Sequence, residues 1–212
     1  MKQVIDDFHA LYFGDLVTRE YEGGGERWMG VPIRKIPHDL WVYQEILHET
    51  RPDLLIETGT MFGGSALYFA HLFDLLGKGR VISIDLAPKE SLPQHPRIEY
   101  MVGSSVAPGI LERVRARIAP GDKVMVVLDS DHSAEHVIQE IHAYGPLVPV
   151  GQYLIVEDTN IGHPLHSFHV ERGPMEAVEE FLPGNTRFER DSSREKLLFT
   201  SNPGGFLKRV RP

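Results

Sequence analysis

The chain has 212 residues, a formal net charge of -8 and a composition 42% hydrophobic and 25% charged, which suits one globular α/β domain with a sizeable core. The acidic balance argues against nucleic-acid binding, which needs a basic face, and the absence of cysteine excludes disulfides, thiolate catalysis and sulfur-held metals. No apolar run reaches membrane-spanning length, and residues 1–7 carry acids where a secretory leader needs an apolar core, so a cytoplasmic location without membrane contact is expected.

In chain order, Val4, Ile5, Phe8, Leu11, Tyr12 and Leu16 recur at helical spacing, which predicts a packing helix over residues 3–17. Residues 21–30 form a glycine-rich loop that also carries Trp28 and Met29, a composition suited to a lid over a substrate or to an oligomer contact. Phe8, Tyr12, Trp28 and Met29 could supply the apolar contact of a homo-oligomer. Asp39 reads as the N-cap of a helix that ends before Pro52. Residues 1–38 thus read as an N-terminal helical addition, with a candidate lid, to a single domain spanning 1–212.

From residue 53 the pattern alternates. Strands are expected at 53–57, 80–85, 98–102, 123–129 and 152–157, with helices near 64–76, 107–118, 133–144 and 174–182. Such alternation implies a mainly parallel sheet. The tail then reads as two strands, 186–190 and 196–200, joined by residues 191–195. Five crossover strands followed by a hairpin is the element order of class I methyltransferases.

The most informative stretch is Glu57-Thr58-Gly59-Thr60-Met61-Phe62-Gly63-Gly64-Ser65, between the first of these strands and its helix. Glycine lets backbone approach a ligand closely, and a helix start offers unpaired N–H groups. The spacing is not the G-x-G-x-x-G of dinucleotide folds, which weakens a pyrophosphate reading.

Four strands end in carboxylates: Glu57, Asp85, Asp129 and the pair Glu157 and Asp158. In a parallel sheet those ends share the edge where ligand sites form. Asp85 is placed to take ribose hydroxyls, which does not separate NAD from S-adenosylmethionine. Ser104, after the third strand, lies where a nucleoside base could rest, although a simple turn fits equally. Asp129, Glu157 and Asp158 make a hard, oxygen-rich set suited to Mg²⁺ or Mn²⁺. His132, three residues beyond Asp129, is a candidate general base, and His163, His166 and His169 lie on a loop that could line a substrate pocket.

The chain resembles the cephalosporin hydroxylase and rhamnosyl O-methyltransferase family. The matching pieces are Tyr43-Gln44-Glu45, residues 51–65, Asp129-Ser130-Asp131-His132-Ser133, Val156-Glu157-Asp158-Thr159, residues 173–178, Arg194-Glu195-Lys196 and residues 200–207. The resemblance implies a Rossmann-like class I methyltransferase fold: a mostly parallel seven-stranded sheet with a C-terminal antiparallel hairpin. It implies that Glu57, Gly59 and Asp85 hold S-adenosylmethionine and that Asp129, Glu157 and Asp158 bind Mg²⁺. Thr60, Gly63 and Ser65 are expected to grip the cofactor's amino-acid end, and Ser104 and Asp129 complete the cofactor set. Catechol-type O-methyltransferases are similar here but carry a catalytic lysine where this chain has His132.

The expected function is Mg²⁺-dependent methylation of a hydroxyl on a small molecule, a sugar or other secondary metabolite, with His132 taking the proton. Two rivals stand beside it: a metal-dependent hydroxylase of an antibiotic pathway, and a cofactor-binding partner subunit without turnover. The usual non-haem iron set of two histidines and one carboxylate is not supplied at the strand ends.

Overall fold

The computed structural model describes residues 1–21, 25–87, 91–163 and 171–212, with the side chains of 15–21 excepted. His166 and His169 lie outside the described residues.

The frame is a seven-stranded sheet. It contains β3 (Leu54–Thr58), β4 (Arg80–Asp85), β5 (Ile98–Val102), β6 (Val124–Leu128), β7 (Tyr153–Val156), β8 (Phe188–Arg190) and β9 (Phe206–Arg209), in the order β5-β4-β3-β6-β7-β9-β8. The five strands from β3 to β7 run parallel, and β9 is antiparallel to both β7 and β8. Strands β3, β6 and β7 are buried throughout because helices cover both faces, so their sequences are continuous apolar runs rather than alternating ones.

The two-residue period of the strands still decides which helix each side chain meets. Leu54, Ile56, Val124, Val126 and Leu128 pack towards α4 (Pro108–Arg115), α5 (Ala134–Tyr144) and α6 (Pro174–Phe181), through Ile110, Val114, Ile141 and Phe181. Leu55, Met125, Val127 and Ile155 pack on the other side against α2 (Pro37–Thr50) and α3 (Gly64–Leu76), through Val42, Tyr43, Ile46, Phe69 and Phe73. The five strands and four helices expected between residues 53 and 182 all appear, with bounds within a few residues.

Three local readings change. Asp39 is not an N-cap: α2 starts from Ile36 with Pro37 in its first turn, where a missing N–H costs nothing. Asp39 lies inside that turn, buried, accepting hydrogen bonds from the Thr200 hydroxyl at 2.5 Å and the Ser201 N–H at 2.9 Å. The second tail strand is not at 196–200 but at Phe206–Arg209. Leu198 takes a left-handed φ of 66°, Phe199 turns into a cluster with Phe8, His9 and Tyr12, and Thr200 is held by Asp39. Those contacts consume a segment whose apolar residues mimic a strand.

The N-terminal helix is longer than expected, α1 (Lys2–Tyr21), and the loop after it closes as a small ribbon of β1 (Arg27–Trp28) and β2 (Val31–Pro32). Trp28 stacks edgewise on Tyr68 and donates its indole N–H to His71, while Met29 is exposed. No helix among the described residues is long and apolar enough to cross a membrane.

Arg194 ties the tail to the body. Its guanidinium grips both oxygens of Glu49, at 3.0 and 2.5 Å, and also reaches the Tyr153 hydroxyl and Asp191. Glu49 is half exposed and water can replace part of what it loses, so Arg194→Met is expected to lower the unfolding free energy by about 1 kcal/mol, read by urea denaturation.

Candidate active site

The ends of β3, β4 and β6 are stitched to one another. The Gly59 N–H donates to the Ile84 carbonyl at 2.8 Å, and the Asp129 N–H donates to the Thr58 carbonyl at 3.1 Å. Gly59 has φ of 91°, and a Cβ there would fall 1.8 Å from the Asp129 carbonyl oxygen, so no other residue fits. Asp85 accepts from the Met61 N–H at 2.7 Å and the Ala87 N–H at 2.9 Å, which fixes the glycine turn against β4. Beyond these ends opens a cavity of about 1000 Å³.

Gly59, Thr60, Ser65, Asp85, Asp129, His132 and Asp158 all line that cavity. Tyr12, Phe13, Glu26 and Arg27, from α1 and the ribbon, line it too. Glu57, Gly63, Ser104 and Glu157 do not. Glu57 is fully buried behind the wall and accepts from the Ser83 hydroxyl at 2.6 Å. Burial pushes its carboxyl up to about 7, against the pull of Lys35, Ser65 and Ser83. Gly63 precedes α3 in a left-handed conformation, facing Pro93 and Tyr100, and Ser104 closes a turn onto Ala107. His163 stands apart, bonded to Glu176 at 2.6 Å.

Sequence reasoning passed over Lys35. Its ammonium is buried between two of the acids, 2.8 Å from Asp129 Oδ2 and 2.5 Å from Glu157 Oε2, and the Tyr43 hydroxyl donates to the other Glu157 oxygen. Both oxygens of Glu157 are therefore engaged inside the protein. Burial would raise Asp129, but Lys35 and His132 hold it at about 2. Burial also drives Glu157 well above the carboxylate range; Lys35 opposes this and Asp129 adds to it. The sequence signal was slight, a lysine set between Ile33 and Ile36. Asn160, nearly fully buried on the cavity wall with neither amide atom paired within the protein, was missed as well.

His132 Nε2 lies 3.1 Å from Asp158 Oδ2 and 3.5 Å from Asp129 Oδ1, without a well-directed hydrogen bond to either. Burial disfavours the charged ring, but the two carboxylates outweigh it and push His132 up to about 11. Asp158 takes a left-handed φ of 53° and is braced from the tail, where the Asn202 side chain accepts its N–H at 2.9 Å.

Among the described residues, Asp129, His132 and Asp158 each offer a ligand atom within 4.8 Å of the others. The two carboxylates, Asp129 and Asp158, both face the cavity and fit a hard divalent cation, with His132 Nε2 beside them and free of a directed partner. Glu157 would join them only by giving up Lys35 or Tyr43.

A mainly parallel sheet with one reversed strand, and a ligand cavity at the ends of its parallel strands, defines a Rossmann-like class I methyltransferase fold. The comparisons agree. An apo structure of CmcI superposes with a TM-score of 0.68 at 23% identity, over 88% of this chain and 77% of that one. CmcI in its Mg-SAM form gives 0.65 at 23% identity, with the same coverage. The rhamnosyl O-methyltransferase of Mycobacterium leprae is 39% identical over 97% of this chain and 90% of its own length. The family model "Rhamnosyl O-methyltransferase/CmcI" matches residues 24–210. The chain belongs to the rhamnosyl O-methyltransferase/CmcI family, and with it to the S-adenosylmethionine-dependent O-methyltransferases.

Beside this site, burial raises Asp39 to about 7, partly offset by its bonds from Thr200 and Ser201. A raised folded pKa gives stability that is full below the unfolded value near 4 and is lost as pH rises through about 7. The stability of the native sequence is thus expected to fall by about 2 kcal/mol more than that of Asp39→Asn between pH 4 and pH 8, as urea titrations at several pH values would show.

Proposed function

We propose that this chain transfers the methyl group of S-adenosylmethionine to a hydroxyl of a sugar, a rhamnosyl unit being the first candidate, with Mg²⁺ held at Asp129 and Asp158. The single observation that carries the reading is that one cavity is lined by the glycine turn and Asp85 on one side and by Asp129, His132 and Asp158 on the other. Curated relatives of nearly full coverage, named rhamnosyl O-methyltransferases, support the acceptor class. The Mg-SAM form of CmcI supports the cofactor pair.

When bound, the sulfonium supplies an electrophilic methyl group and the dication supplies charge that lowers the pKa of the acceptor hydroxyl. The remaining work belongs to this chain. Gly59 gives backbone access, and Thr60 and Ser65 offer hydroxyls beside it. The Asp85 carboxylate, already oriented by two backbone N–H groups, accepts from ribose hydroxyls. Glu57, Gly63 and Ser104 act behind this surface by fixing the turns. Tyr12, Phe13 and the ribbon cover the cavity and exclude water.

His132 accepts the acceptor's proton at Nε2. In the chain by itself Asp129 and Asp158 keep the imidazole protonated. A dication at those carboxylates would withdraw their support from the imidazolium and leave Nε2 able to take the proton. Glu157 serves as a ligand only in exchange for its present partners. A hydroxylase reading finds less support, because the cluster holds one histidine and two carboxylates.

Calorimetry is expected to show binding of S-adenosylhomocysteine by the native protein and a loss of about tenfold or more in Asp85→Ala, equivalent to about 1.4 kcal/mol. No binding by the native protein would sink the cofactor assignment. His132→Ala should lower kcat for a rhamnoside acceptor by about 10²-fold or more with KM little changed, and should remove the acidic limb of the pH-rate profile. A profile matching the native one would remove His132 as the base.

A further inference from the structure

The Lys35 side chain is 3% exposed, and its ammonium bridges Asp129 and Glu157, two of the three carboxylates expected to bind the metal. It is delivered by the segment between β2 and α2, and its neighbours Arg34 and Ile36 line the same cavity. Tyr43, nearly two turns into α2, secures the other Glu157 oxygen from the helix that follows. The site is therefore built around a cation of its own, held by two of the carboxylates a dication there would draw on.

We propose that Lys35 is a tethered place-holder cation: its ammonium keeps Asp129 and Glu157 preformed in the metal-free protein and is displaced towards the cavity when a divalent cation takes Glu157 as a ligand. The inference rests on the metal site proposed above and adds what regulates its filling. Asp129 has one oxygen on Lys35 and the other towards His132, so it can serve both cations in turn without moving. Glu157 has no such spare oxygen. Entry of the dication at Glu157 therefore requires an exchange, because two cations cannot share one carboxylate edge without repulsion. Lys35 is next to the cavity and has a four-carbon stem, so its displacement needs only side-chain rotation. Released there, its ammonium would face the cavity that His132 also lines. Metal filling and the charge of the substrate chamber would then be linked by one side chain.

The place-holder makes metal binding weaker than the ligand set alone would give. Titration calorimetry with Mn²⁺ alone is expected to show binding by the native protein and binding about tenfold tighter or more in Lys35→Met, which keeps the stem and removes the charge. A second measurement uses only the native protein. Acetylation of Lys35 by acetic anhydride, followed by peptide mass spectrometry, should be slow without metal and rise about fivefold or more at saturating Mn²⁺, because an ammonium buried between two carboxylates is shielded from the reagent and a released one is not.

Where Lys35→Met does not fold, the acetylation result decides alone. Native binding of Mn²⁺ with Lys35 still protected, and no tighter binding in Lys35→Met, would overturn the place-holder while leaving the metal site standing. Absence of Mn²⁺ binding by both proteins would overturn the metal site and the place-holder together.

Discussion

The constraint on which the rest of the site depends is the approach of Gly59 to the Asp129 carbonyl, a contact too close for any Cβ. It joins the turn after β3 to the turn after β6 at van der Waals distance. The Ile84 carbonyl adds the turn after β4 through the Gly59 N–H. Three loops that would otherwise wander are thereby one unit. Under the proposed function, a cofactor on the turns after β3 and β4 and a hydroxyl beside the turn after β6 would meet in a fixed relation, the condition under which positioning contributes most to a displacement reaction.

Electrostatics supplies the second layer. Glu57 and Glu157 are buried and Asp129 and Asp158 face the cavity in front of them, and the Lys35 ammonium is buried against Asp129 and Glu157. Lys35 keeps Asp129 ionised while Glu57 and Glu157 are driven up by burial. The acids thus differ in charge although they share one edge. Asp129 and Asp158 reach the cavity, whereas Glu57 and Glu157 shape it from behind.

Much of this was legible in the sequence because strand, turn and helix signals are local. The runs ending at Glu57, Asp85, Asp129 and Glu157 were bounded by glycine and by helical spacing, and the parallel sheet followed from their alternation. What failed to show was set by partners far along the chain. Asp39 has the chemistry of a cap, and only Thr200 and Ser201, brought from the tail, reveal it as a buried acceptor. Residues 196–200 have strand-like composition, and only the pocket around Phe199 shows why they leave the sheet. Lys35 carries no motif, because its role comes from Asp129 and Glu157, and Tyr43 matched the family without disclosing that it holds Glu157.

The Asp39 to Thr200 bond spans 161 positions, and Asn202 reaches back to brace Asp158. During synthesis the acid-bearing turn after β7 lacks its brace until that late segment has emerged. Contacts so distant in sequence form after the local ones, since their loop-closure cost must be met first. The sheet centre can therefore be in place while the reactive end is still unfinished. A nascent chain in that condition is a scaffold without a competent chamber, and the tail is its final assembly step.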